Sequence, residues 1–573
     1  MGQDKLASAA RRLACLATCG ALGLIAATVL VLPLALSLGE SGAAPSYPWG
    51  WWLLAGGAGA GGIGLWRLGG QRALRAWRSL GAPAWAVPAS LFAFFLAVKL
   101  VPALALKTAQ RSDFLMIYQA AQSIAAGDHS FNTSAYWHFF AYQTPFALWE
   151  AALVKLGGGS LVPLLAANAL AMAGTNLLVF LAARRLSGSA VGGIAASLAY
   201  CAYPGPYLLA NVLTNDHLST FLLYLGAFMV LAACARAARG GQGGWRAAAP
   251  GVAQGLAGGL VLQLGNLIRP AGPLVWLALA GGIGLGLATG WRGRQGRRGR
   301  RGWRGRRPGL AAGAAAGAAL AAYALLALGA GAAVKASGVN PGGVASNLPE
   351  WKFICALAGP DQLRDDAAAI GAYAAQPKAE ARAAARDILA RDLRQLPQTW
   401  RYILGRQLRH LWVENDTALF AFNPALAGNP TYSLPDAKTA TAAYLMVGLE
   451  RGIFLPAVVL AAWGAAAIGR RRRWGALAAF LGCLVAAYFL AHLVIEAQPR
   501  YRYLVSPAIF ALAGPAWARL ATPARQLGRA VRGAIRGTRC ARPAQSGTSS
   551  ESSRSGRRGI GPSGPATRGR PPG

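Results

Sequence analysis

The sequence predicts an all-α integral-membrane fold, a polytopic bundle of about twelve transmembrane helices, and three observations carry that prediction. Apolar residues make up 55% of the 573-residue chain and charged residues only 13%. The apolar runs repeatedly reach roughly 20 residues, the length that crosses a bilayer. Basic residues outnumber acidic ones 57 to 19, and most of them fall in alternate short gaps between the runs, as the positive-inside rule requires. Those gaps contain only Asp4 and Glu551 among the acids. A net charge of +38 would otherwise point to nucleic acid; distributed this way it is a topology signal, and no nucleic-acid partner is expected.

Taken in order, the spans are 13–38, 49–66, 84–106, 161–183, 190–209, 218–235, 250–268, 272–290, 309–334, 446–469, 475–495 and 503–520. The first follows Arg11 and Arg12, but it is too long for a signal-peptide core and lacks a clear cleavage site, so it is read as a retained helix. With the N-terminus cytoplasmic, every inside gap is basic. These gaps hold Arg67 with Arg72, Arg75 and Arg78, then Arg184 and Arg185, then Arg236, Arg239 and Arg246, then the Arg-rich stretch 291–307, then Arg470 to Arg473. A miscounted helix would turn one of these clusters outward.

Two outer segments are long. In 107–160, Phe114, Ile117, Tyr118, Ala121 and Ile124 mark an amphipathic interfacial helix, followed by an aromatic piece that Gln143, Pro145, Glu150 and Lys155 interrupt. That piece is expected to lie at the interface or to re-enter, because a full crossing would invert every later loop. The second outer segment, 335–445, has a charge-mixed helical stretch from Asp361 to His410 and then a Pro/Asn-rich loop. The seven Cys show no metal-ligand spacing and read as small core residues. Three regions follow: residues 1–83 with two helices and a basic loop, a core over 84–520, and an Arg/Gly/Ser/Pro-rich tail over 521–573 that is expected to be disordered.

The outer side is close to neutral, which isolates a few charges at the edges of spans. Asp113, in Ser112-Asp113-Phe114, is placed to accept a proton from an attacking hydroxyl or amine, or simply to cap a helix. Asp216 opens a span within Thr214-Asn215-Asp216-His217, where capping is again the plain alternative. His217 reads as a polar interface residue before a metal ligand, since no second ligand sits one turn away. Arg269, in NLIRP, breaks the inside rule and needs a compensating anion, either a phosphate or one of the two Asp residues. In EAQPRYRYLVSP, Glu496 precedes Arg500 and Arg502, with Tyr501 and Tyr503 interleaved; the two Arg could clamp a phosphate or merely anchor the interface. No phosphate-binding Gly loop, Cys/His cluster or GxSxG elbow is present.

The order of these pieces, SDFLMIYQAAQSIAAGD, FAYQTPFALWEAALVKL, LTNDHLSTFLLYLG, NLIRP and QPRYRYLVSPAIFALAG, resembles the GT-C membrane glycosyltransferases. The likeness is to the bacterial relatives of protein O-mannosyltransferases and aminoarabinose transferases, and it covers about 84–520. The resemblance implies a helical bundle acting on a polyprenyl-phosphate sugar donor. It implies Asp113 as general base and Asp216 as second acid, with Arg269, Arg500 and Arg502 at the donor phosphate; His217, Glu496 and Tyr501 are further candidates. Asp113 stands alone where the eukaryotic mannosyltransferases have paired acids. Direct displacement would invert the anomeric centre, and no cofactor is required, although Asp113 and Asp216 could share a divalent metal ion.

The expectation is therefore a multi-pass plasma-membrane enzyme with both termini cytoplasmic and an extracytoplasmic site. Its acceptor would be a protein, lipid or cell-wall polymer. A flippase or transporter of lipid-linked sugars would need polar groups deep in several spans, and few occur beyond Asn168, Asn176 and Gln263; no inverted repeat is visible either. A non-catalytic envelope-assembly scaffold would leave the position of Arg269 without a reason.

Overall fold

The structure is a computed structural model that describes residues 3–39, 85–105, 108–241, 244–288, 307–345, 348–359, 378–413, 437–470 and 475–520, with a few isolated positions besides. The expected span 49–66, the basic gap 67–78, most of 291–307, the loop 414–436 and the tail 521–573 lie outside the described residues.

Among the described residues the fold is all-helical. Its helices are α1 Gln3–Gly39, α2 Ala86–Ala105, α3 Ser112–Ala125, α4 Ala135–Phe139, α5 Thr144–Leu156, α6 Val162–Ser187, α7 Ala190–Ala202, α8 Pro204–Leu208 and α9 Asn215–Gly240. There follow α10 Trp245–Ile268, α11 Gly272–Ala288, α12 Arg307–Ala336, α13 Trp351–Leu357, α14 Lys378–Leu408, α15 Ala437–Arg470, α16 Ala476–Ala491 and α17 Arg502–Leu520. Among the described residues, seven helical stretches, within α1, α2, α6, α9, α10, α12 and α15, are long and apolar enough to cross a membrane. The expected spans at 190–209, 272–290 and 475–495 are shorter apolar helices. The last expected span, 503–520, falls in α17, which is not among those seven and is buried without a break from Arg502 to Ala516. It packs on α6, α7 and α15.

Glycine takes part in this packing, more than a compositional bias would require. Lipid tails give apolar helices no hydrophobic reason to associate, so close backbone approach has to supply the contact. A Cβ on Gly226 of α9 would lie 2.6 Å from the Leu262 amide nitrogen of α10, and one on Gly259 of α10 would collide with the Ala319 carbonyl of α12. α1 belongs to the same body: Leu22 and Ile25 are fully buried, and its Cys15 and Cys19 face carbonyls of α15.

The first long segment folds as the amphipathic reading expects, with Phe114, Ile117, Ala120 and Ala121 buried along α3. Its aromatic continuation becomes α4 and the 13-residue α5; at 1.5 Å per residue α5 extends only about 20 Å, too short to cross. Within α5, Glu150 is 1% exposed and one of its carboxyl oxygens has no hydrogen-bond partner. Burial pushes this carboxyl well above its ordinary value near 4.5. A raised carboxyl contributes stability that is fully present below the unfolded value and is lost as pH climbs through the folded one. Glu150→Gln should therefore melt with the wild type near pH 4 and above it at pH 8, by on the order of 2–4 °C per kcal/mol recovered, in a detergent melting series. Equal melting at both pH values would refute the burial of an unpartnered acid there.

Candidate functional site

The charged residues singled out in the sequence gather at one end of the bundle, where α3, the start of α9, the end of α10, α13 and the start of α17 meet. Pro270 follows Arg269 and forces it into extended backbone, φ −148° and ψ 124°, because a proline ring clashes with a helical predecessor. α10 stops there, and the guanidinium turns to Asp216, with which it forms a hydrogen-bonded ion pair. Thr214 caps α9 by accepting from the Asp216 amide, and its hydroxyl donates to the other Asp216 oxygen at 2.8 Å. Both carboxylate oxygens are thus engaged, and the Asp216 side chain is 2% exposed.

Asp113 lies in the first turn of α3, but it does not cap it. Its Oδ2 accepts from Arg500 Nη2 at 2.9 Å, and the Tyr136 hydroxyl stands beside the same carboxylate. Burial first and that negative charge second push the Tyr136 phenol upward, so it stays protonated. Gln143 donates to Tyr136 at 3.1 Å and accepts from Asn215 at 3.2 Å, which links the surroundings of the two acids. The preceding Ser112 has φ 50°, a left-handed conformation that costs a non-glycine residue on the order of 1–3 kcal/mol and tends to occur at functional sites.

The segment between α16 and α17 supplies the rest. Tyr501 lies flat among cations: Arg269 is 4.6 Å from its ring centroid, Lys352 5.8 Å and Arg500 5.9 Å. Arg500 also stacks over Phe114 at 5.0 Å. Glu496 pairs with Lys352 and accepts from Gln498 at 2.7 Å and from the Tyr501 hydroxyl at 3.1 Å. Burial raises the Glu496 carboxyl, but the Lys352 charge and these donors outweigh it and hold it below the usual range. For Tyr501, burial outweighs the neighbouring cations, and its phenol is pushed up to about 12.

Exposure separates the three acids. The Asp113 side chain is 32% exposed, that of Glu496 17% and that of Asp216 2%. Of the three, Asp113 keeps the most open face. Asp216 orients Arg269, and Glu496 is a saturated counter-ion.

Two expected members are turned away. Residues two apart on a helical turn do not share a face, so when Arg500 in the 3-10 turn Pro499–Tyr501 faces Asp113, Arg502 at the start of α17 points into the bundle. There it pairs with Glu450 at 3.1 Å, both side chains nearly inaccessible, and donates to the Trp412 carbonyl at 3.1 Å. The pair of Arg expected to clamp one phosphate thus takes different acids, Arg500 with Asp113 and Arg502 with Glu450, although both line one small cavity. His217 is fully buried and engaged at both nitrogens. The Leu209 carbonyl at 2.7 Å can only accept, so Nε2 carries the proton, and Nδ1 takes the Tyr503 hydroxyl at 2.5 Å. It fastens α9 to α17.

Sequence reasoning passed over Lys352, Tyr136 and Gln143. A lysine inside the apolar helix Trp351–Leu357 was the one signal available for Lys352; neutral polar residues in an aromatic loop offered none. Among the described residues, no group of three His, Cys, Asp or Glu side chains is gathered to hold a metal ion. Comparison with family models, with curated proteins and with solved structures gives no match. The described residues define a helical protein with several helices long and apolar enough to cross a membrane and, at one end, three cations and three acids paired around a tyrosine ring.

Proposed function

We propose that the chain is a membrane glycosyltransferase of the GT-C type, a bundle of about twelve transmembrane helices with both termini cytoplasmic. It transfers a sugar from a polyprenyl-phosphate donor to a protein, lipid or cell-wall acceptor on the extracytoplasmic face of the plasma membrane. The observation that carries this reading is the pairing of an open carboxylate, Asp113, with Arg500, beside a second anchored cation, Arg269. A base and a phosphate-binding pair in one cluster are what displacement at a sugar phosphate requires.

In this mechanism the donor slides in from the bilayer, and its phosphate meets Arg269 and Arg500. Asp113 takes the acceptor's proton as the acceptor attacks, and attack opposite the phosphate inverts the anomeric carbon. Asp216 keeps Arg269 in place. No cofactor enters these steps. Sugar transfer by purified protein from synthetic polyprenyl-phosphate donors tests the proposal; lipid-linked sugar crossing vesicles without transfer would replace it with the flippase reading, and retained configuration would overturn direct displacement.

Sidedness has its own test. In a background with the seven native Cys replaced, an impermeant thiol reagent outside the cell should label cysteine at position 113 and spare cysteine at position 298. The reverse pattern would place the cluster in the cytoplasm.

A further inference from the structure

Lys352 reaches the cluster from the second long outer segment, 335–445, as part of α13. Its main chain is pinned: the Lys352 carbonyl accepts from the Glu496 amide at 2.8 Å, and Arg406 of α14 donates to the carbonyls of Cys355, Ala356 and Ala358 at the end of α13. Its side chain is the most open of the three cations, 35% exposed against 16% for Arg269 and 13% for Arg500, and its ammonium donates to Glu496 and, at 3.2 Å, to the Tyr501 hydroxyl. Glu496 keeps hydrogen bonds from Gln498 and Tyr501 if Lys352 swings away. Neither Asp216 nor Asp113 is bonded to Lys352.

We propose that Lys352 is a third phosphate-binding cation, held ready on Glu496, whose role is to neutralise the leaving phosphate of a polyprenyl-phosphate donor. This rests on the glycosyl-transfer reading. In that step the acceptor oxygen bonds to the anomeric carbon, the bond from that carbon to the phosphate oxygen breaks, and its electron pair stays on the phosphate. The acceptor's proton goes to Asp113. The donor is a phosphodiester with one negative charge, whereas the released monoester carries about −1.5 to −2 at pH 7. Negative charge on the phosphate thus grows as the bond breaks, and a cation with a fixed backbone, whose ammonium is shared with Glu496 and Tyr501, can exchange those partners for it. An interaction that strengthens toward the transition state acts on kcat more than on KM.

The test uses full-length purified protein with K352Q, K352R and the double variant K352Q/E496Q, which removes the ion pair as a unit and leaves no stranded carboxylate. Losing one donor to a developing oxyanion predicts a kcat lower by roughly 10–100-fold in K352Q, with donor KM within about threefold of wild type. Inhibition by polyprenyl phosphate should weaken by roughly tenfold or more, K352R should recover most of the rate, and the double variant should match K352Q. Wild-type kcat and wild-type affinity for polyprenyl phosphate in K352Q would overturn the assignment. Direct binding of polyprenyl phosphate, followed by native mass spectrometry, separates the two ideas. If the wild type transfers no sugar yet binds polyprenyl phosphate through Lys352, the anion site stands and the transfer reading falls; if binding ignores Lys352, the assignment falls.

Discussion

Asp113→Asn should lower sugar transfer by roughly 100- to 10,000-fold while leaving the fold and the donor KM nearly unchanged. Asparagine has the shape of the carboxylate, and its carbonyl oxygen can still accept from Arg500, so the 2.9 Å contact survives in weaker form. What it cannot do is take a proton. With its counter-charge gone, Arg500 is freer to meet a phosphate, so donor binding should hold or tighten as turnover collapses. That combination, lower kcat without higher KM, distinguishes a lost base from a damaged site. Equal turnover in variant and wild type would remove Asp113 from the mechanism.

Arg269→Ala should be the most destabilising substitution in the cluster. It strands Asp216, whose side chain is 2% exposed, and removing one partner of a buried ion pair costs on the order of 3–5 kcal/mol. The melting temperature should fall by on the order of 10 °C. The double variant D216N/R269Q replaces charge by neutral hydrogen-bonding groups on both sides and should recover most of that loss, while transfer stays low because the donor phosphate still lacks its cation. An R269A protein that melts with the wild type would mean that Asp216 is not buried as described.

Parts of this site were legible in advance and parts were not. Arg269 was an out-of-place cation that demanded an anion, and the candidates were a phosphate, Asp113 or Asp216; the extended backbone before Pro270 selects Asp216. Asp113 could have been a helix cap, a reading that its position alone could not reject; in the structure α3 begins without a side-chain cap bond and Asp113 meets Arg500 instead. Arg500 and Arg502 looked equivalent, being identical in type, adjacent to tyrosines and one residue apart. The turn from a 3-10 segment into α17 sends one to the open cluster and the other to Glu450. Lys352 carried only the weak signal of a lysine in an apolar helix, because nothing near it in sequence belongs to the cluster.

The helical, apolar character of the chain and the alternation of charge between its apolar runs follow from the sequence by itself, since each depends on local quantities: the length of an apolar run, the period of a helix face, the sign of the charge in the next gap. Which cation meets which acid was decided only by the tertiary structure. The partners in the three pairs of the cluster are 53, 144 and 387 residues apart, and over such separations pairing depends on how whole helices pack. Side-chain charge specifies that a partner is needed; the path of the backbone specifies which one is within reach.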